Sequence, residues 1–345
     1  MPDELGTIDR ILAPASWKRA DRHLHTLLNS PWYRVLHDVT ADLHRATHSF
    51  FEANGARFSC VPVTTTSVSS PMGLGSDSLP VRATINGGQV YLADSLQFLL
   101  ELTLRIRHGP VYYVSTSFRG EDVDATHLSE FSHAEVEIFG DLDDIISLGS
   151  RYVDHLSRAL LDEQGDSIAA IAGGTAHLEA VAARGGDYPR IRFDEAWRRF
   201  GHEPGYFDEV APGILSITRK GEHRLIREAE GPVWITHMPR MACPFYQKPE
   251  AGTEYCLSAD LLLGPGEILG AGERCRSHDE TMASLTRHQV DANAYRWYLD
   301  MKKATPAQTA GFGLGIERFL MWVLGATDIR DCTPWLRRCG EVIDP

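Results

Sequence analysis

Between Gly311 and Leu320 the chain reads Gly-Phe-Gly-Leu-Gly-Ile-Glu-Arg-Phe-Leu, and few backbones accept that order. Phe312, Leu314 and Ile316 recur every second residue, which is the period of a strand with one apolar face. The other face carries only glycine. Glycine weakens a strand interior, so a run of this kind marks a place where something approaches the backbone closely. The pattern predicts a strand passing directly into a helix, its bare face left open for a ligand that a bulky side chain would block. Arg318 falls where the backbone becomes helical, placed to grip an anionic group.

A second cationic element lies far upstream, in Phe118-Arg119-Gly120-Glu121 followed by His127-Leu128-Ser129-Glu130-Phe131. Two acids, Asp260 and Glu267, flank the turn-forming stretch Leu261-Leu262-Leu263-Gly264-Pro265-Gly266. Carboxylates at the two ends of a turn are hard oxygen ligands suited to a divalent ion that bridges phosphate oxygens.

Composition bounds the rest. At 345 residues with 43% hydrophobic content, the chain can build a substantial core. No stretch approaches the roughly 18 uncharged apolar residues of a membrane span, and Met1 to Arg10 lacks a basic-then-apolar export pattern. The six cysteines form no Cys-x-x-Cys, so reduced thiols in the cytoplasm are expected rather than zinc or a disulfide framework. The 34 basic and 47 acidic residues give a formal charge of −13. Nucleic-acid affinity rests on neutralising phosphates, so this sign argues against a nucleic-acid partner.

Periodicity predicts helices over 17–28, 32–54, 95–107, 141–161, 193–200 and 281–300. Strands are expected over 57–63, 89–92, 111–119, 134–139, 233–236, 255–263, 267–272 and from 311. Residues 64–80 read as a loop able to close over a ligand, and 164–187 as a peripheral insertion. The strands outnumber β–α–β crossovers, which favours an α+β fold with a mostly antiparallel sheet. Residues 1–16 are read as an extension and 17–345 as one catalytic domain.

The two arginine elements together resemble motifs 2 and 3 of the class II aminoacyl-tRNA synthetases, in the aspartyl/asparaginyl/lysyl subgroup. The helix, Gly55 and strand ending at Pro62 resemble motif 1, which implies a homodimer contact. The resemblance spans roughly 30–338 and implies an antiparallel β-sheet flanked by helices, with ATP as co-substrate, Mg²⁺ as metal and an acyl adenylate as product. It assigns Arg119 to the α-phosphate and the reacting carboxylate, Glu121 to the adenine edge, His127 to the terminal phosphates and Phe131 to stacking on the base. Arg318 is assigned to the γ-phosphate and the adenine face. Asp260 and Glu267 become the Mg²⁺ ligands, with Glu267 also near the nucleotide.

For the amino acid, the resemblance matches Gln97 and Glu135 to the α-ammonium and Arg274 to a side-chain oxygen. Aspartyl enzymes place Lys three residues after the Gln; here that position is Leu100, followed by Glu101, as in asparaginyl enzymes. A glutamate repels a carboxylate but accepts a hydrogen bond from an amide or ammonium.

The sequence also departs from the family. Thr126 stands where an Arg is usual, and residues 68–80 replace the usual substrate-closing loop. Gly272 occupies a position that is often Ser, and Glu273 one that is often Gln. Only 16 residues precede the first predicted helix, where the family carries an anticodon-binding barrel. These departures lead to the expectation of a stand-alone asparagine synthetase: aspartate or an aspartate-like acid is adenylylated and passed to ammonia or another amine, with tRNA, DNA and membrane not among its partners. The alternative is aminoacyl transfer to tRNA or a carrier protein, and a third reading is an inactive nucleotide- or amino-acid-binding paralogue.

Overall fold

The structure, a computed structural model, describes residues 10–69 and 79–337. Two 3-10 turns lead into α1 (His23–Asn29) and then the long α2 (Pro31–Ala53). Ser30 caps α2 by accepting from the Trp32 N–H at 3.3 Å, and Pro31 sits in the first turn, where its missing N–H costs nothing. Leu36, Val39, Leu43 and Phe50 fall on one face and are buried. Strands β1 (Arg57–Phe58), β2 (Thr64–Thr65), β3 (Val81–Ile85) and β4 (Gly88–Leu92) follow, then α3 (Gln97–Arg107), β5 (Val111–Phe118) and β6 (Glu130–Phe139).

Helix α4 (Leu142–Ala172) opens with a reciprocal cap. Asp141 accepts from the Asp143 and Asp144 N–H groups at 3.0 Å, and Asp144 accepts from Asp141 at 3.1 Å. The helix ends at Gly173 in the left-handed region, φ 86°. After it come α5 (Ala176–Ala183), β7 (Arg190–Arg192), α6 (Phe193–Phe200) and the hairpin β8 (Phe207–Ala211) and β9 (Ile214–Ile217). The chain continues through α7 (Arg219–Glu228), β10 (Val233–Thr236), β11 (Ser258–Leu263) and β12 (Gly266–Glu273). It closes with α8 (His278–Arg287), α9 (Arg296–Ala304), β13 (Thr309–Gly315) and α10 (Ile316–Leu324).

Eight strands form one sheet in the order β1-β5-β6-β13-β12-β11-β10-β7. The pairs β1–β5 and β10–β7 are parallel, and the five between them antiparallel. The expected α+β class, with a mainly antiparallel sheet flanked by helices, is what the chain adopts. Helices α2 and α4 pack on each other and on one sheet face, where Phe51, Tyr152 and Phe312 stack within about 6 Å. The opposite face is left for the site.

Several local expectations change. Residues 164–187 are not peripheral: 164–172 complete α4, and Ile168, Ile171, Leu178 and Val181 are buried in the main core. Their alanine and glycine content reads as surface, yet small residues also allow helices to approach closely. The single helix expected over 281–300 breaks into α8 and α9 around Gln289, whose φ of 56° no helix tolerates. The strand expected over 57–63 is ladder-paired only at Arg57 and Phe58. Residues 70–78 of the expected closing loop lie outside the described residues. No helix among those described is long and apolar enough to cross a membrane.

Candidate active site

The glycine-alternating strand owes its composition to its neighbour. In the β13–β6 register Gly311 lies opposite Glu137, and Gly313 opposite Glu135. A Cβ on Gly311 would overlap Glu137 Oε1, and one on Gly313 would stand 3.2 Å from Glu135 Cγ. The glycines therefore make room for two buried glutamates of β6, and Gly313 and Gly315 also line a cavity of about 430 Å³. The close approach expected from the sequence is real, but most of it is to protein.

That cavity gathers Arg119 from the end of β5, His127 and Phe131 around the start of β6, and Arg318 from the first turn of α10. Asp260 of β11 and Glu267 of β12 share it, as do Gln97 and Arg274. Arg119 and Arg318, distant in sequence, thus face one space. Arg119 lies over Phe131, its guanidinium carbon 5.5 Å from the ring centroid, and its buried Nε has no partner among the described residues. A buried guanidinium donor left open in a cavity wall is suited to an anionic ligand. Arg318 donates to the Glu267 carbonyl at 3.1 Å and approaches its carboxylate at 3.4 Å. His127 is held by Asp124, whose Oδ1 lies 3.0 Å from Nδ1.

The acids fit a hard cation. A Cβ on Gly270 would stand 3.0 Å from Glu267 Oε1 and 3.6 Å from Asp260 Oδ1, so both carboxylates converge over one bare strand position. Burial and then the neighbouring Glu267 push the Asp260 carboxyl well above its ordinary range, the penalty a bound cation would relieve. Among the described residues no group of three or more His, Cys, Asp or Glu forms a cage. Two carboxylates completed by phosphate and water oxygens are the usual Mg²⁺ arrangement.

Three expected residues stand elsewhere. Glu101 is fully buried outside the cavity wall. Its carboxylate accepts from Lys302 Nζ at 2.5 Å, from Thr309 at 3.3 Å and from the Tyr298 hydroxyl, and contacts Arg105 at 3.4 Å. Burial alone would raise this carboxyl, but Lys302 and then Arg105 outweigh it and hold it low. With four internal partners, it is not free to meet a substrate amide. Glu135 lies one side chain behind the cavity, accepting from Ser95 at 2.7 Å and resting 3.2 Å from His133 Nδ1. Glu121 spends one oxygen on the Leu79 N–H at 3.0 Å and does not line the cavity.

The structure adds groups the sequence did not single out. Glu137 takes two bonds from Arg274, from Nε at 2.8 Å and from the second nitrogen at 2.5 Å. Burial lifts Glu137 to about 7, with Arg274 opposing it. Its signal was position: two residues after Glu135 on a strand, it faces the same side. Arg219 and Glu222, from the first turn of α7, also line the cavity. Burial and then Glu267 push Glu222 up to about 7. Thr218, which caps α7 through the Gly221 N–H at 3.2 Å, was the readable start signal there.

Residues 17–338 match the family model described as tRNA synthetases class II (D, K and N). The chain belongs to that family, and it is an ATP-dependent ligase that forms an acyl adenylate. It is 31% identical over 323 residues to the asparagine–tRNA ligase of Xanthomonas euvesicatoria pv. vesicatoria, covering 87% of this chain and 69% of that protein. It is 27% identical over 327 residues to that of Koribacter versatilis, covering 93% and 72%. Its fold matches the asparaginyl-tRNA synthetase from Pyrococcus horikoshii complexed with asparaginyl-adenylate, with a TM-score of 0.84 at 24% identity over 94% of this chain and 73% of that one.

These relatives overturn two expectations. Similarity over most of the chain is to tRNA-charging enzymes, so passage of the acyl group to a free amine is not the reaction they indicate. The expectation that tRNA is no partner falls for the same reason. A net charge summed over the whole surface does not describe the charge of any one local patch. The reading as an inactive paralogue falls with the family assignment.

Proposed function

We propose that this protein activates asparagine at its α-carboxylate and transfers the asparaginyl group to the 3′ end of a tRNA. The observation that carries the choice of amino acid is the Arg274–Glu137 pair. An arginine already matched by a buried carboxylate offers hydrogen bonds without net charge. That suits the neutral side chain of asparagine better than the carboxylate of aspartate.

In this reading the α-carboxylate oxygen attacks the α-phosphorus of ATP in line with the departing pyrophosphate. Arg119, its Nε without a partner among the described residues, stabilises charge on the α-phosphate as that bond forms. Arg318 and His127 hold the leaving phosphates, and Phe131 stacks on adenine. Asp260 and Glu267 would hold Mg²⁺, which supplies charge neutralisation at the phosphate oxygens. A ribose hydroxyl of the tRNA then attacks the acyl carbonyl; the acyl–phosphate C–O bond breaks, AMP leaves with its electrons, and the hydroxyl proton passes to the AMP phosphate. Phe58, 48% exposed on edge strand β1, supports the homodimer contact expected there.

The test is a pair of assays on the wild-type protein. Asparagine-dependent ATP–pyrophosphate exchange, followed by acid-precipitable labelling of tRNA with asparagine, is the expected result. Exchange with aspartate alone, or exchange without labelling of any tRNA, would overturn the reading.

A further inference from the structure

Beside Arg274 the cavity wall contains Gln247, which the resemblance assigns no role. Gln247 is 8% exposed, and its Oε1 is buried without a hydrogen-bond partner among the described residues. An unsatisfied buried acceptor costs roughly 1–3 kcal/mol unless a ligand supplies the missing donor. Gln97 presents the complement: 7% exposed on the same cavity, its Nε2 a buried donor without a partner among the described residues.

The space that Gln247 occupies exists only because residue 272 is glycine. A Cβ there would overlap Gln247 Oε1 and stand 2.6 Å from Cδ and 2.8 Å from Nε2. Gly272 is in ordinary strand pairing with Ser258 and Gly311 and is not among the glycines of positive φ, so its backbone does not require glycine. What requires it is volume. This gives the departure at 272 a physical cause: the side chain missing from β12 is replaced by an amide reaching in from residue 247.

The backbone holds that amide in place. Gln247 forms an antiparallel bridge with Arg274, and its own N–H donates to the Pro244 carbonyl at 3.1 Å. On either side, the Cys275 N–H donates to Tyr246 at 2.9 Å and the Lys248 N–H to Glu273 at 2.8 Å. Lys248 and Glu273 also pair through their side chains at 2.5 Å. Gln247 and Arg274 are thus fixed next to each other at one end of the cavity.

We propose that Gln247, its amide seated in the volume that Gly272 leaves open, is a specificity-determining residue whose side-chain oxygen accepts an N–H from the substrate's carboxamide. The inference rests on the asparagine-activating reading above. A carboxylate has no N–H to offer, so aspartate leaves the amide oxygen unsatisfied while Glu137 matches the charge of Arg274. A site built around such a bond rejects an analogue lacking the donor more strongly than shape alone could.

The test measures exchange kinetics for asparagine, aspartate and ATP in wild type, Gln247→Met, Gly272→Ala and the double variant. Gln247→Met keeps the side-chain length and removes the acceptor; Gly272→Ala drives the native amide out. Each is expected to raise the asparagine KM by about tenfold, leave the ATP KM unchanged, and lower the asparagine-over-aspartate preference by a similar factor. The double variant should be no worse than either single one, because both act on one bond. An unchanged asparagine KM and preference in a folded variant would overturn the inference while exchange by wild type left the broader reading standing. Either single variant decides alone if the other fails to fold. Absence of exchange by wild type with every amino acid would sink both.

Discussion

Arg274, on the cavity wall, meets the buried Glu137, two guanidinium nitrogens converging on one carboxylate oxygen at 2.8 and 2.5 Å. The other oxygen of Glu137 is buried and has no partner among the described residues. Burial raises the carboxyl to about 7, so the charge of Arg274 is matched above that pH and left over below it. Aspartate keeps its side-chain charge throughout this range.

Selectivity should therefore depend on pH. Between pH 8 and pH 6 the kcat/KM ratio of asparagine to aspartate in pyrophosphate exchange is expected to fall, as Glu137 protonates and frees Arg274 for a carboxylate. Glu137→Gln should fix the low-pH behaviour at every pH, with aspartate gaining about tenfold at pH 8, equivalent to about 1.4 kcal/mol. A ratio independent of both pH and this substitution would show that the pair does not face the substrate.

Arg119→Ala and Arg318→Ala should each lower kcat of exchange by two orders of magnitude or more, the scale on which a preorganised charge contact in a dry site acts. Neither should change the melting temperature by more than a few degrees. Among the described residues Arg119 Nε has no partner, and Arg318 bonds only to the half-exposed Glu267. Collapse of the fold in either variant would assign these side chains to structure instead.

Asp260→Asn and Glu267→Gln should each raise the Mg²⁺ concentration for half-maximal exchange, by about tenfold. Titration of activity with Mg²⁺ at saturating ATP reads this directly. An unchanged requirement in both would remove the acids from the metal site.

Lys302 is fully buried and donates to Glu101 at 2.5 Å and to the Cys275 carbonyl at 2.7 Å. Lys302→Met strands a buried carboxylate and should destabilise the protein by about 3–5 kcal/mol in urea unfolding. Adding Glu101→Gln should restore part of that loss, since the uncompensated charge goes with it. A cost below about 1 kcal/mol would show that Arg105 alone suffices for Glu101.

Glu317 gives a stability prediction whose sign follows from its shift. It accepts the Ser132 N–H at 2.9 Å, and burial lifts it to about 7 from an ordinary 4.5. A raised carboxyl stabilises the fold below its unfolded value, and that contribution is lost as pH climbs through the folded one. Unfolding free energy should therefore decline between about pH 4.5 and 7, and Glu317→Gln should flatten the decline in urea melts across that window.

The sequence by itself determined the strand–helix junction from 311 and the antiparallel α+β class, and it singled out Arg119, His127, Phe131, Asp260, Glu267 and Arg318, which share one cavity. These were legible because they rest on local pattern: glycine repeated in a strand, arginine at an element's end, two acids around a turn. Only the tertiary structure decided which side chains spend their charge on one another. Glu101 carries the expected residue type at the expected spacing, yet Lys302, two hundred residues away, consumes it. Arg274 is similarly matched by Glu137, and Gln247 reaches into a volume opened by Gly272. Charge pairing and excluded volume are properties of neighbours in space, and a one-dimensional spacing rule carries neither.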